Sequence, residues 1–305
     1  MTKSLKLLYL AVVMAVLVIL LMGIYRSGGP EDIFKKSSGG KAFKPLAERA
    51  KTAREGFKKA EQELKDFKLD PAYEAMVFIP AGQFNMGDRE GGYDEHPERK
   101  VSLAGFYMDR YEATFAQFYN FMAVTGHRKP RLVGYLGNVE TEDLPLFMKP
   151  LHPVIGVSWD DAVDYCRWKG KRLPTEAEWE KAARGEDHRK WPWGNQQDPS
   201  NANLLGDDDG FRYTSPVGHF KRDKSPYGIY DMAGNAMEWV SDWYQEDYYR
   251  ILPISNPAGP SAGDYRVIRG TSWNDSVDHA RTTSRFKMFP EYRDVTTGFR
   301  CAKSG

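Results

Sequence analysis

Residues 171–185 read KRLPTEAEWEKAARG, and residues 227–243 read YGIYDMAGNAMEWVSDW. The first stretch predicts a short helix. Thr175 followed by Glu178 makes a capping box, and Gly185 stands where a helix terminates. Glu176, Glu178 and Glu180 suit the positive N-terminal end of that helix, and Trp179 reads as a core aromatic. The second stretch does not read as one regular element. Short apolar runs alternate with Gly, Asn and Asp, and Gly234 marks a place where a side chain would clash. Outward from these two stretches, helices are predicted over residues 114–125 (TFAQFYNFMAVT) and 159–170 (WDDAVDYCRWKG). Ser158 or Asp160 is available to cap the latter. The remainder from residue 75 onward reads as short strands and long structured loops, without an internal repeat.

Composition agrees with an irregular, loop-rich domain. The chain of 305 residues carries 8 Trp, 17 Tyr, 16 Phe and 28 Gly. Its formal net charge is +1, and it has no dense basic stripe, so nothing points to nucleic acid. The two cysteines, Cys166 and Cys301, lie far apart and form no CxxC. They fit either one structural disulfide of an oxidising compartment or two buried free thiols.

The N-terminal region has a different character. LLYLAVVMAVLVILLMGIY, from Leu7 to Tyr25, is an uncharged apolar run of the length a membrane helix needs. Lys3 and Lys6 precede it and favour a cytoplasmic N-terminus, and no small-residue cleavage site follows. Residues 1–26 are therefore expected to be a signal anchor. Residues 27–40 are Gly- and Ser-rich linker. In residues 41–69, Leu46, Ala50, Ala53, Phe57, Ala60, Leu64 and Phe67 alternate spacings of four and three, an a/d pattern over three heptads. Residues 27–74 thus read as a linker and amphipathic helical stalk. Its seam, with Leu46, Phe57, Leu64 and Phe67 as the large members, suits either a partner helix or the chain's own globular domain.

The soluble part carries a series of motifs in order. They are MVFIPAGQFNMGD (76–88), YEAT (111–114), HPVIGVSWDDAVDYCRW (152–168) and KRLPTEAEWEKAARG. Then follow PWGN (192–195), YGIYDMAGNAMEWVSDW, RVIRGTSW (266–273) and TGFRCA (297–302). In sequence and spacing this series resembles the formylglycine-generating enzyme, or sulfatase-modifying factor, family over residues 75–305. The resemblance implies an α+β fold of low regular secondary structure around a C-type-lectin-like core. It also implies that Cys166 and Cys301 form a structural disulfide, which would place the domain outside the cytoplasm, on the periplasmic face of a bacterial-type inner membrane. It implies structural Ca²⁺ at two sets. One is Asn203 and Asp209 with the carbonyls of Leu204 and Phe211. The other is Asp231 and Glu238 with the carbonyls of Gly234 and Ala236. All four side chains carry the oxygen donors Ca²⁺ takes. On its own the run Asp207, Asp208, Asp209 reads equally as a solvated acidic turn. Met237 stands where the family usually has an aromatic ring.

One departure concerns chemistry. Family members that oxidise a substrate cysteine use two cysteines just after the Gly-Ser-aromatic motif. Here that region reads GTSWNDSVDHARTTSR (270–285), with no cysteine. Oxygen ligands do not replace thiolates for Cu(I), so copper and formylglycine synthesis are not expected. None of the six histidines lies in an HxxxH or HExxH arrangement. Trp273, Asn274, Asp275, Asp278, His279, Arg281 and Arg285 mark the vestigial cleft, as a new polar site or as a hydrogen-bonded surface network. Three readings follow. One is a non-catalytic accessory subunit that docks a membrane-anchored domain onto an integral membrane protein or membrane complex, a respiratory or electron-transfer one included. The second is a periplasmic enzyme of altered chemistry on the same scaffold. The third is a glycan- or peptide-binding module.

Overall fold

A computed structural model describes residues 45–132, 139–206 and 209–305. The expected membrane segment, residues 7–25, lies outside the described residues. Among the described residues no helix is long and apolar enough to cross a membrane. The chain divides into a unit of residues 1–51, of which 45–51 are described, and a compact unit of residues 52–305.

Helix α1 spans Leu46–Asp66. Within the larger unit its seam faces the domain: Ala53, Ala60 and Leu64 are buried, and Leu64 joins the main core beside Phe115 and Phe147. At Gly56 the helix passes so close to the domain that an added Cβ would lie 2.8 Å from Pro145. The small residues of the heptad pattern thus serve close helix-to-domain packing, while Phe57 and Phe67 are half-buried.

Nine short strands follow. β1 (Met76–Ile79), β4 (Phe106–Asp109) and β9 (Ala302–Ser304) form one antiparallel sheet, and β2 (Gly82–Met86) pairs with β3 (Arg99–Leu103). The central sheet has the order β7 (Arg285–Met288), β6 (Arg266–Arg269), β5 (Met237–Trp243), β8 (Thr297–Phe299), and β5 runs parallel to β8. Successive residues of β5 point to opposite faces. Trp239 enters the core built on helix α2 (Phe115–Thr125) and helix α3 (Trp159–Trp168). Val240 enters the core built on β1–β4 and helix α4 (Glu176–Arg184). The sheet is therefore covered on both faces, which explains why β5 does not read as a simple alternating strand.

The helix starts follow from local sequence. Thr114 with Gln117, Ser158 with Asp161, and Thr175 with Glu178 each form a reciprocal capping box, and Gly126 and Gly185 end α2 and α4. Cys166 on α3 and Cys301, between β8 and β9, are joined by a disulfide, with both residues fully buried. The fold is mixed α and β with short elements.

Candidate functional site

β6 delivers the chain into the loop that carries most of the sequence candidates. Gly270 turns it in the left-handed region, φ +70°, against the ring of Trp179. Ser272 and Asp275 then close a tight turn. The Asp275 Oδ2 accepts from the Ser272 amide at 2.9 Å and from its hydroxyl at 2.6 Å. Trp273 turns inward, stacks edge-on with Tyr213 and donates its indole N–H to the Val295 carbonyl at 3.0 Å.

The seven cleft candidates divide. Trp273, Asn274 and Asp275 line one cavity of about 470 Å³. Asp278 turns away and accepts from Gln197 at 2.8 Å, and His279 sits edge-on to Phe286. Arg281 donates two hydrogen bonds to Glu95, at 2.7 and 2.6 Å. Arg285 donates two to Glu176, at 2.7 and 3.0 Å, with its guanidinium over the ring of Tyr249.

The two arginines belong to a buried ionic network under the loop. Arg269 bonds Glu180 at 2.8 Å and Glu176 at 3.3 Å, and its guanidinium also donates to the carbonyls of Thr282 and Thr283. Burial alone would raise the Glu176 carboxyl, but Arg285 and Arg269 reverse this and hold it below its ordinary range. Asp242 behind it has no guanidinium in hydrogen-bond contact among the described residues, and burial and the Glu176 charge push it up to about 7. The network fixes the floor of the loop.

The remaining cavity wall comes from residues without a sequence signal: Tyr265 before β6, Lys287 and Met288 on β7, and Phe289, Tyr292 and Val295 beyond it. Met237 of β5 also lines it. The β6–β7 register, Val267 opposite Lys287, brings Tyr265 and Lys287 together across 22 positions of chain, and no motif spacing encodes that. The ammonium of Lys287 lies 4.7 Å from the Tyr244 ring centroid and 5.4 Å from that of Tyr265. Asp294 is raised above its ordinary value by burial, although the Thr296 amide and hydroxyl donate to it.

The calcium candidates adjoin this loop: the Leu205 amide donates to the Asp275 carbonyl at 2.9 Å and the Trp273 amide to the Asn235 carbonyl at 3.1 Å. Asn203 donates to the Tyr213 carbonyl and to Asn235, and its own Oδ1 is buried with no hydrogen-bond partner. An orphaned amide oxygen is what a hard cation would use, so this donor fits Ca²⁺. In the same set, Asp209 accepts from the Phe211 amide at 2.8 Å, next to residues 207–208, which lie outside the described residues. Leu204 is buried beside Asn203. In the second set, Asp231 sits at φ 58° and accepts from the Gly218 amide at 2.6 Å. A Cβ on Gly234 would meet the Asn203 carbonyl oxygen at 2.2 Å. The Ala236 amide donates to Glu112 at 2.9 Å. Glu238, however, has both oxygens engaged by Arg300, one of them also by the Trp179 indole, at 2.7–3.0 Å. That commitment leaves the second set without its second carboxylate. Among the described residues, no three His, Cys, Asp or Glu side chains group to hold a metal ion.

Sequence reading also missed Glu112 and Asp223, which with Asp231 and Glu238 place four buried carboxylates around the single buried guanidinium of Arg300. Burial, then the charges of Asp231 and Glu238, push Glu112 well above the carboxylate range. Burial pushes Asp231 up to about 7. YEAT contains Glu112, but its burial depends on contacts more than 100 residues away.

Comparison with known proteins places this geometry. The serine/threonine-protein kinase pkn1 of Chlamydia caviae is 39% identical over 254 residues, which cover 80% of this chain and 40% of that protein. The chain thus spans less than half the length of that relative. The formylglycine-generating enzyme of Bos taurus is 36% identical over 279 residues, 74% of each chain. Among solved structures, that of PvdO from Pseudomonas aeruginosa superposes with a TM-score of 0.67 at 28% identity, over 75% of this chain and 94% of that one. Residues 60–305 match the family model, and the chain accordingly belongs to the family of the sulfatase-modifying factor enzyme 1-like domain.

Proposed function

We propose that the protein is a non-catalytic, membrane-anchored member of this family, an accessory subunit whose domain is held at the exoplasmic face by residues 7–25 and docks onto an integral membrane protein. One observation carries the reading. The chain's only two cysteines are joined in a buried disulfide, and the loop of residues 270–285, where the resemblance puts the copper thiolates, offers Asn274, Asp275 and Asp278 instead. A Cu(I) site needs soft thiolate ligands, and this loop has none. The disulfide also supports an oxidising compartment.

Ca²⁺ is proposed as a structural ion at Asn203, Asp209 and the carbonyls of Leu204 and Phe211. Bound there, it would supply positive charge next to the Asn203–Asn235 contact and tie the 203–211 loop to the segment at Gly234.

The test is purification of the full-length chain in mild detergent, with and without residues 1–44, a deletion that keeps helix α1 and its packing on the domain. The reading predicts a stoichiometric integral membrane partner that is lost with the deletion, together with a domain that remains membrane-bound through a carbonate wash unless residues 1–26 are removed. A full-length chain that washes off the membrane and migrates alone would refute it.

A further inference from the structure

The cavity beside Trp273 is a concavity of about 470 Å³, within the range of small-molecule sites (roughly 300–1,000 Å³). Its walls are mainly apolar. Met237 and Met288 present flexible thioether chains, which adapt to irregular apolar shapes. Phe289, tilted at 35° against Tyr265 with ring centroids 4.3 Å apart, also lines the cavity and is 45% exposed. Where the family usually has an aromatic ring, Met237 keeps an apolar wall without filling the space with a ring.

The ions of this cavity are unequal. Asp275 is turned into its own turn by Ser272, and Asp294 is held by the Thr296 amide and hydroxyl. Lys287 is exposed and forms no ion pair among the described residues. Its ammonium lies close to Tyr244 and Tyr265, so those rings already have a cation against them and are poorly placed to take a second. An apolar chamber whose edge carries a cation with no carboxylate partner among the described residues complements a molecule with an apolar body and one negative group.

We propose that this cavity binds a small amphipathic monoanion, a medium-chain carboxylate in its simplest form, with the body against Met237 and Met288 and the carboxylate at Lys287. The proposal rests on the reading of residues 270–285 as a thiol-free binding loop.

The test is calorimetric titration of the full-length protein in zwitterionic lipid discs, with empty discs as reference. The probes are octanoate and octyltrimethylammonium. Octanoate is expected to saturate at one site per chain and to bind at least about fivefold tighter than the cation. Lys287→Met keeps the exposed stem and removes only the charge. It should weaken octanoate by about fivefold, the ratio that a pair of about 1 kcal/mol converts to, and should not weaken the cation, which loses a like charge and gains access to the Tyr244 and Tyr265 rings. Met237→Trp, with near-UV circular dichroism as the check on folding, should weaken saturable octanoate binding by narrowing the chamber along the wall that holds the apolar body. Equal binding of the two probes, octanoate affinity indifferent to Lys287→Met, or no saturable octanoate binding by the parent protein would each overturn the proposal. Stoichiometric Cu(I) binding, measured separately, would instead sink the thiol-free reading on which it rests.

Discussion

Replacing Asp242 by Asn should change how stability depends on pH. Asp242 lies on β5, fully enclosed, and its Oδ2 accepts from the Glu176 amide and the Ser241 hydroxyl, both at 2.9 Å. Asn keeps an oxygen in the same place. Its pH-independent cost is the amide N–H₂ group, about 1 kcal/mol if poorly paired. Burial and the Glu176 charge raise the Asp242 pKa from 3.8 to about 7. Between those values the folded protein binds a proton that the unfolded chain has released, so stability falls as pH rises, by about 1.4 kcal/mol per unit. Above pH 7 both states are ionised and the loss is complete. From pH 5 to pH 8 the parent protein should therefore lose about 2.5 kcal/mol through this group alone. Asp231, raised by burial, pulls in the same direction over this range, whereas Glu95 and Glu176, lowered by their arginines, act in the opposite sense and only below about pH 4.5. These contributions largely cancel in the comparison of parent and variant. Urea unfolding of both, with the disulfide intact, should show Asp242→Asn gaining about 2.5 kcal/mol on the parent between pH 5 and pH 8. An equal difference at the two pH values would refute the reasoning and place Asp242 in a solvated or cation-paired setting.

Other outcomes follow from the same geometry. The Cys166–Cys301 bridge closes 135 positions of chain, so the double variant to alanine should lose about 5 kcal/mol on the loop-entropy relation, read from urea unfolding. Gly234→Ala places a methyl group 2.2 Å from the Asn203 carbonyl at φ +77°. The backbone strain alone costs about 1–2 kcal/mol, and the clash should add to it, lowering the melting temperature. The proposed ion can be tested at Asn203→Leu, which removes the orphaned oxygen. A Ca²⁺-dependent rise in melting temperature should be present in the parent protein and absent in the variant.

What was legible in the sequence was local. Thr114, Ser158 and Thr175 announce their helices because a capping box is closed within four residues. Gly234 announces a close approach because only a missing side chain permits it. The charges of α4 were legible only in part. Glu176, Glu178 and Glu180 do stand near a helix start, but their partners are Arg285, Arg172 and Arg269, and all nine residues of that helix are buried. Read as charges at the positive end of a helix, the three glutamates need no partner, and their burial is not foreseen. Arg172 and Arg184 reach Glu178 and Glu180 from the same stretch, but Arg269 and Arg285, which make the burial of Glu180 and Glu176 tolerable, come from strands distant in sequence. The cavity was half legible. Trp273, Asn274 and Asp275 follow from the family motif, whereas Lys287, Tyr265 and Phe289 reach it through the β6–β7 register. The arginines grouped with them by proximity in sequence belong to the network beneath.

The claim that this scaffold carries no thiol chemistry is most directly tested by supplying it with the reaction. Full-length protein would be incubated with Cu(I), oxygen, a thiol reductant that supplies the two electrons needed to take the second oxygen atom to water, and a sulfatase-derived cysteine peptide, and the aldehyde product counted by mass spectrometry while bound copper is measured in parallel. The account predicts no aldehyde above a copper-only control and no stoichiometric Cu(I). Turnover of the peptide with one Cu(I) held per chain would contradict it.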